Sequence, residues 1–196
     1  GIPLCDPSIT LTAEELNWSD TVLSEAAMSA GWPLIGLHCS AAHTHKQWPP
    51  ARFGQVVAHL KRSYPDLGVV SFGTLEERAN SELARKEAGD VRWLEATGAW
   101  GIRQSLAVLE RCDLLVSGDT GVMHMAAAVG TRTLSVFGPT SPGRVAPTYN
   151  GGVTVVPQVP CHPCYKDRYE ECSCIHTIDV ERVAQLALRC LRMKKN

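Results

Sequence analysis

The stretch DLLVSGDTGVMHMAAAVGTRTLSVFGPTSP, residues 113–142, leaves few folds open. Residues 113–117 form a short apolar run ending in small residues, 123–129 carry an Ala-rich helical pattern, and a second apolar run, 133–137, follows at once. The GDTG between the first two reads as a strand-to-helix turn. Strand, tight turn, helix and strand in that order make one βαβ crossover, the connection that parallel strands require. Both of its loops, GDTG and the closing GPTSP, open at the carboxyl ends of neighbouring strands, where open α/β sheets bind ligands.

The residue types in that turn suit an anion. Gly118 and Gly121 let the backbone turn sharply and approach a ligand closely, and Thr120 is placed to cap the helix. The free N–H groups of the first turn point outward and carry roughly half a positive charge from the helix dipole. His124, one turn in, adds a donor or a cation to the same place. The plainer alternative is that Asp119 and Thr120 only cap the helix and His124 is a surface histidine.

The same alternation extends in both directions. Residues 34–38 read as a buried first strand, 40–47 as a polar loop, and 51–63 as a helix with Phe53, Val56, Val57 and Leu60 on one face. Lys46 therefore stands in a loop at the carboxyl end of a strand, where charge and rotatable donors meet a phosphate, although a solvated surface lysine has the same local sequence. His38, His43 and His45 are close enough in sequence to raise a metal reading, but no clearly spaced acidic or thiol partner accompanies them beyond Cys39. A second unit follows in 67–72, GTLEE and a helix to about residue 87. Glu76 or Glu77 there suits either the two hydroxyls of a ribose or the helix dipole. A third strand at 91–94 and a helix at 102–111 lead into the central segment. The expected core is four or five parallel strands with covering helices, closed by a last amphipathic helix at 179–193. Residues 1–33 read as a lead-in, with a capping-box pattern at Thr12 and Glu15.

At 196 residues the chain suits one α/β domain, and a net charge of −1 with 20% charged residues gives no basic stripe for nucleic acid. No apolar run is long enough to span a bilayer, and no transmembrane segment is expected. The sequence begins at Gly1 without Met and reads as a fragment. Between core and tail lies CHPCYKDRYEECSC, which places Cys161, Cys164, Cys172 and Cys174 in a Cys-rich loop at 160–175. CxxC followed by CxC suits a structural tetrathiolate zinc clip; disulfides or free thiols fit the same residues. The remaining cysteines, Cys5, Cys39, Cys112 and Cys190, are scattered and read as small apolar residues.

The first strand ending before Ser40, KQWP (46–49), FGTLEER (72–78), SGDTGVMHMAAAVG (117–130), VFGPTSP (136–142) and the late CHPC together resemble the ADP-heptose:lipopolysaccharide heptosyltransferase family, glycosyltransferase family 9. The resemblance covers about residues 34–190. It implies a Rossmann-like α/β domain, a parallel sheet with helices on both faces, forming the C-terminal half of a two-domain GT-B enzyme. Residues 34–196 would be the nucleotide-sugar (donor) domain and 1–33 an interdomain lead-in. It further implies that Ser40 and Lys46 contact the donor diphosphate and that Glu77 or Glu76 holds the ribose. Asp119, Thr120, Gly121 and His124 would line the diphosphate and sugar site, with Lys46, Asp119 and His124 serving catalysis.

The implied reaction is an inverting transfer of heptose from ADP-heptose to the lipopolysaccharide inner core, with no metal required for the chemistry, in a cytoplasmic protein peripheral at the inner membrane. The acceptor and the base belong to the family's N-terminal domain, so this chain alone is expected to bind nucleotide and to transfer sugar poorly or not at all. Gln47 and Thr74 depart from the family's usual Arg and Gly, which leaves the sugar open between heptose and a hexose. Other classes are an oxidoreductase domain, for which GxGxxG after the first strand is missing, and a non-catalytic nucleotide-binding or zinc-clipped interaction module of the same fold.

Overall fold

The computed structural model describes residues 7–28, 31–147, 151–164 and 173–193. The short apolar runs become the strands Leu34–His38 (β1), Gly68–Ser71 (β2), Arg92–Glu95 (β3), Leu114–Gly118 (β4) and Thr133–Val136 (β5). A further strand, Val153–Val155 (β6), completes a six-stranded parallel sheet in the order β3-β2-β1-β4-β5-β6. The sheet is thus one strand larger than the sequence pattern suggests. β6 is only a Val-Thr-Val step, too short to show a periodicity, and it exists because β5 offers it an edge.

Side chains alternate along a strand, so each strand feeds two cores. Ile35 and Leu37 of β1 face a layer made by the helices Pro50–Ser63 (α2), Arg78–Ala88 (α3) and Val180–Arg192 (α7). Leu34, with Val70 of β2 and Leu115 of β4, faces the layer made by Ala13–Glu25 (α1), Ile102–Arg111 (α4) and Gly121–Ala128 (α5). In the first layer Phe53, Val56, Val57 and Leu60 all lie within 1% of full burial. Side chains of that kind contribute on the order of 1.5–3 kcal/mol each when taken out of water. α2 crosses α3 at Gly54, where a Cβ would overlap the Ala84 carbonyl oxygen; only a bare α-carbon permits this approach. A one-turn helix, Pro142–Val145 (α6), follows β5.

The lead-in is docked rather than loose. Thr12 and Glu15 form the capping box that starts α1, with Thr12 N–H donating to Glu15 Oε2 at 2.8 Å and Glu15 N–H donating to Thr12 Oγ1 at 3.2 Å. Glu15 also accepts from Arg103, and Asp20 accepts two bonds from Arg111, at 2.7 and 2.9 Å, so α1 is clamped to α4 at two places. On the opposite layer Trp48 is 1% exposed; its Nε1 donates to the Ile178 carbonyl at 3.3 Å and its ring meets Phe53 edge-on. Arg52 donates to the carbonyls of His176 and Ile178, and Asp179 caps α7 by accepting from Arg182 N–H. The loop after β1 is therefore anchored to the tail of the chain. No helix among the described residues is long and apolar enough to cross a membrane.

Candidate functional site

From β1 the chain steps outward to β2 and β3, then returns to lay β4 against the other side of β1. Between β1 and β4 the direction of winding reverses, and the loops leaving their carboxyl ends diverge. A crevice at such a point is where open α/β sheets hold ligands. The loop after β1, with a short 3-10 turn at Thr44–Lys46, and the turn after β4 form its walls.

Lys46 and Asp119 meet there, with Lys46 Nζ 2.9 Å from Asp119 Oδ2. Thr140, from the loop after β5, donates to the same Oδ2 at 2.8 Å. Three loops distant in sequence thus converge on one carboxylate whose side chain is 10% exposed. An ammonium has three donors, and this pair uses one, so Lys46 is fixed in place while keeping donors for an anion. Thr140 escaped sequence reasoning; the only signal was its place in GPTSP, since nothing local shows which carboxylate a threonine will reach.

At the start of α5 one expectation is corrected. Thr120 occupies the N-cap position in an extended conformation, yet its side chain makes no capping bond, and its hydroxyl oxygen is buried without a partner among the described residues. The side chain is turned into the protein, not towards the helix end, and the first-turn N–H groups are not consumed by it. A second correction concerns the glycines. Neither Gly118 nor Gly121 has a positive φ, so the turn does not require left-handed backbone. What Gly121 supplies is room: a Cβ there would meet nothing within 4 Å, which leaves open space directly over the helix end. His124 is exposed in the first turn beyond it.

The other wall comes from β1 and β2. Ser40, 5% exposed, accepts from Asn80 Nδ2 of α3 at 3.0 Å, a partner that sequence reasoning missed. Glu76 and Glu77, adjacent in sequence, are separated by the 3-10 turn Leu75–Glu77: Glu76 is exposed, whereas Glu77 folds back so that its Oε2 accepts from Thr74 N–H at 2.8 Å and lies 3.4 Å from His38 Nε2. The His38 hydrogen bond is the leading cause that holds the Glu77 carboxyl below the ordinary carboxylate range, against the opposing effect of burial. Gly73, at φ +147, makes this fold-back feasible, since a Cβ there would lie 2.7 Å from Glu77 Oε2. The three histidines do not gather: His38 is buried against Glu77, while His43 and His45 stack on each other with ring centroids 5.3 Å apart. Burial lowers the His45 pKa, helped by His43 and Lys46.

Of the Cys-rich loop, Cys172 lies outside the described residues. Cys161 is exposed, whereas Cys164 and Cys174 are buried. Burial pushes the Cys174 thiol up, with Cys164 and Cys161 adding to it. Among the described residues no group of three or more His, Cys, Asp or Glu side chains is arranged to hold a metal ion.

With this geometry in view, comparison with known proteins is decisive. Residues 6–174 match the model of glycosyltransferase family 9 (heptosyltransferase). The chain belongs to glycosyltransferase family 9. Among this family 9 chain's curated relatives, lipopolysaccharide heptosyltransferase 2 of Salmonella typhimurium is 28% identical over 151 residues, which is 74% of this chain and 41% of the relative. The glycosyl transferase family 9 structure from Veillonella parvula superposes with a TM-score of 0.80 at 22% identity, covering 94% of this chain and 53% of that one. The Escherichia coli ADP-heptose lipopolysaccharide heptosyltransferase II structure gives 0.78 at 20% identity, covering 97% and 55%. The family 9 chain therefore spans about half, or less, of the length of the proteins it matches. The likeness to these structures is one of fold, a Rossmann-like sheet of the kind found in GT-B glycosyltransferases.

Proposed function

We propose that this chain is the donor-binding half of a glycosyltransferase that moves heptose from ADP-heptose to the lipopolysaccharide inner core, with inversion, at the cytoplasmic face of the inner membrane. The observation that carries the reading is the convergence of Lys46, held by Asp119, on the unobstructed end of α5 above Gly121. A diphosphate placed there meets an ammonium group and a ring of backbone N–H donors at the positive end of a helix. Glu77, turned towards the neighbouring strand end, is placed for the ribose hydroxyls, and exposed His124 for the phosphate or the sugar.

The chemistry follows from that arrangement. As an acceptor hydroxyl attacks the anomeric carbon and the glycosidic bond to the diphosphate breaks, negative charge grows on the departing ADP. Lys46 and the α5 N–H groups stabilise that charge at fixed positions. The acceptor's proton must also be removed. We assign that step to the remainder of the longer relatives, so this chain binds nucleotide without efficient transfer.

The test is a calorimetric titration of the chain with ADP. Binding that weakens by about tenfold or more (~1.4 kcal/mol) on Lys46→Ala supports the reading. Absence of binding at millimolar ADP, or binding indifferent to Lys46→Ala, overturns it.

A further inference from the structure

Strand β1 ends with an anomaly. It reads Leu-Ile-Gly-Leu-His, is buried along its whole length, and lies between β2 and β4 in the middle of the sheet. An apolar residue is what such a position ordinarily holds, and an imidazole buried there costs free energy unless it is hydrogen-bonded. His38 is 4% exposed. Its Nε2 faces Glu77 Oε2 at 3.4 Å, and its Nδ1 is buried with no partner among the described residues. A carboxylate only accepts, so Nε2 carries a hydrogen and donates it. The backbone of β1 is fixed by its neighbours, with His38 in register with Ser117 of β4, so the imidazole is a donor on a rigid support.

We propose that His38 is a positioning residue for nucleotide recognition: it orients the Glu77 carboxylate, which in turn binds the ribose hydroxyls of the donor. The proposal rests on the reading of this site as a nucleotide-sugar site. The two hydrogen bonds with described geometry, from Thr74 N–H and from His38, both fall on Oε2. The Glu77 side chain is 26% exposed, so a carboxylate held at Oε2 is still within reach of a ligand. Thr74, next to Glu77 in the same turn, holds the carboxylate from one side only. The His38 bond adds a second hold before the ligand arrives, which is how a supporting side chain raises selectivity without touching the substrate.

The experiment measures the affinity of the chain for ADP and for 2′,3′-dideoxy-ADP by calorimetry, with melting temperature as a control for folding. Wild type is expected to prefer ADP by about tenfold or more, as for hydrogen bonds to a charged acceptor. Glu77→Ala should bring the ratio close to one. His38→Leu should lower it by at least about fivefold while leaving affinity for the dideoxy analogue unchanged, and His38→Gln, which keeps a donor at similar reach, should retain most of it. Where His38→Leu does not fold, His38→Met takes its place. A ratio that collapses in Glu77→Ala but not in the apolar His38 variants overturns the positioning role alone. A ratio unmoved by Glu77→Ala overturns the ribose contact and the role of His38 with it, and failure of wild type to bind either nucleotide overturns the donor-site reading underneath both.

Discussion

Lys46 Nζ lies 2.9 Å from Asp119 Oδ2, joining the loop after β1 to the turn after β4 across the point where the sheet reverses its winding. An anion site with a carboxylate in it works only while that carboxylate is neutralised. Lys46→Ala therefore does two kinds of harm to ADP binding: it removes a donor, and it leaves Asp119 facing the diphosphate with Thr140 as its remaining described partner. Adding Asp119→Asn to Lys46→Ala should recover part of the affinity, although Asp119→Asn alone weakens binding by releasing Lys46. A double-mutant cycle read by calorimetry should give a coupling of ~1 kcal/mol or more between these touching residues. Strictly additive losses would show that the pair does not act as a unit.

Gly121 predicts a separation of stability from binding. Because a Cβ there meets open space, Gly121→Ala should fold normally and gain about 0.5–1 kcal/mol from the lower backbone entropy of alanine in a helix. Gly121→Leu should melt no lower than wild type and yet bind ADP at least about tenfold more weakly, because its side chain fills the space over the helix end. Thermal melts alongside titrations check both, and a Gly121→Leu protein with unchanged affinity would place the diphosphate elsewhere.

Gly54 predicts the reverse. An alanine there forces its methyl onto the Ala84 carbonyl and pushes α2 away from α3. The cost should be at least about 1–3 kcal/mol, as for overpacked cores. For a domain of this size the melting temperature falls by roughly 2–4 °C for each kcal/mol. Urea unfolding of Gly54→Ala measures it directly.

The clamp between α1 and α4 gives a pH dependence. Hydrogen bonds from Arg103, then from Thr12, lower the Glu15 pKa from 4.5 to about 2. The carboxyl is easier to ionise in the folded chain, so its contribution to stability is complete above the unfolded value of 4.5 and drains away as pH falls towards about 2. Glu15→Gln should therefore be less stable than wild type near neutrality, and the two should converge on acidification. Urea midpoints measured from about pH 6 to pH 3 follow the difference, which should hold steady down to about pH 5 and narrow below it.

The strands and most helices were legible because their residues carry the period of the element: Phe53, Val56, Val57 and Leu60 mark one face of α2 without help from the fold. β6 was not, since three residues display no period and their strand character comes from the edge of β5. Within the site, local chemistry placed Lys46 and the α5 turn at strand ends, but their bond spans 73 positions of sequence and no local pattern encodes it. His38 shows the same limit. Its nearness to His43 and His45 suggested a shared ligand, whereas the fold sends it under Glu77, 39 positions away, and leaves the other two stacked in a loop. Thr120 misled for a different reason: capping propensity describes an isolated helix end, and here the hydroxyl is buried instead.

Trp48 stands two positions after Lys46, and its indole is hooked onto the Ile178 carbonyl at the entrance to α7. The lysine at the crevice and the last helix, on a flank of the sheet, are thereby mechanically one part. Hydrogen exchange should find the loop around Trp48 and the turn Cys174–Thr177 opening together, as a single cooperative unit, and not in the order of their distance from solvent. Removing α7 would then blunt nucleotide capture without deleting any group that meets the nucleotide.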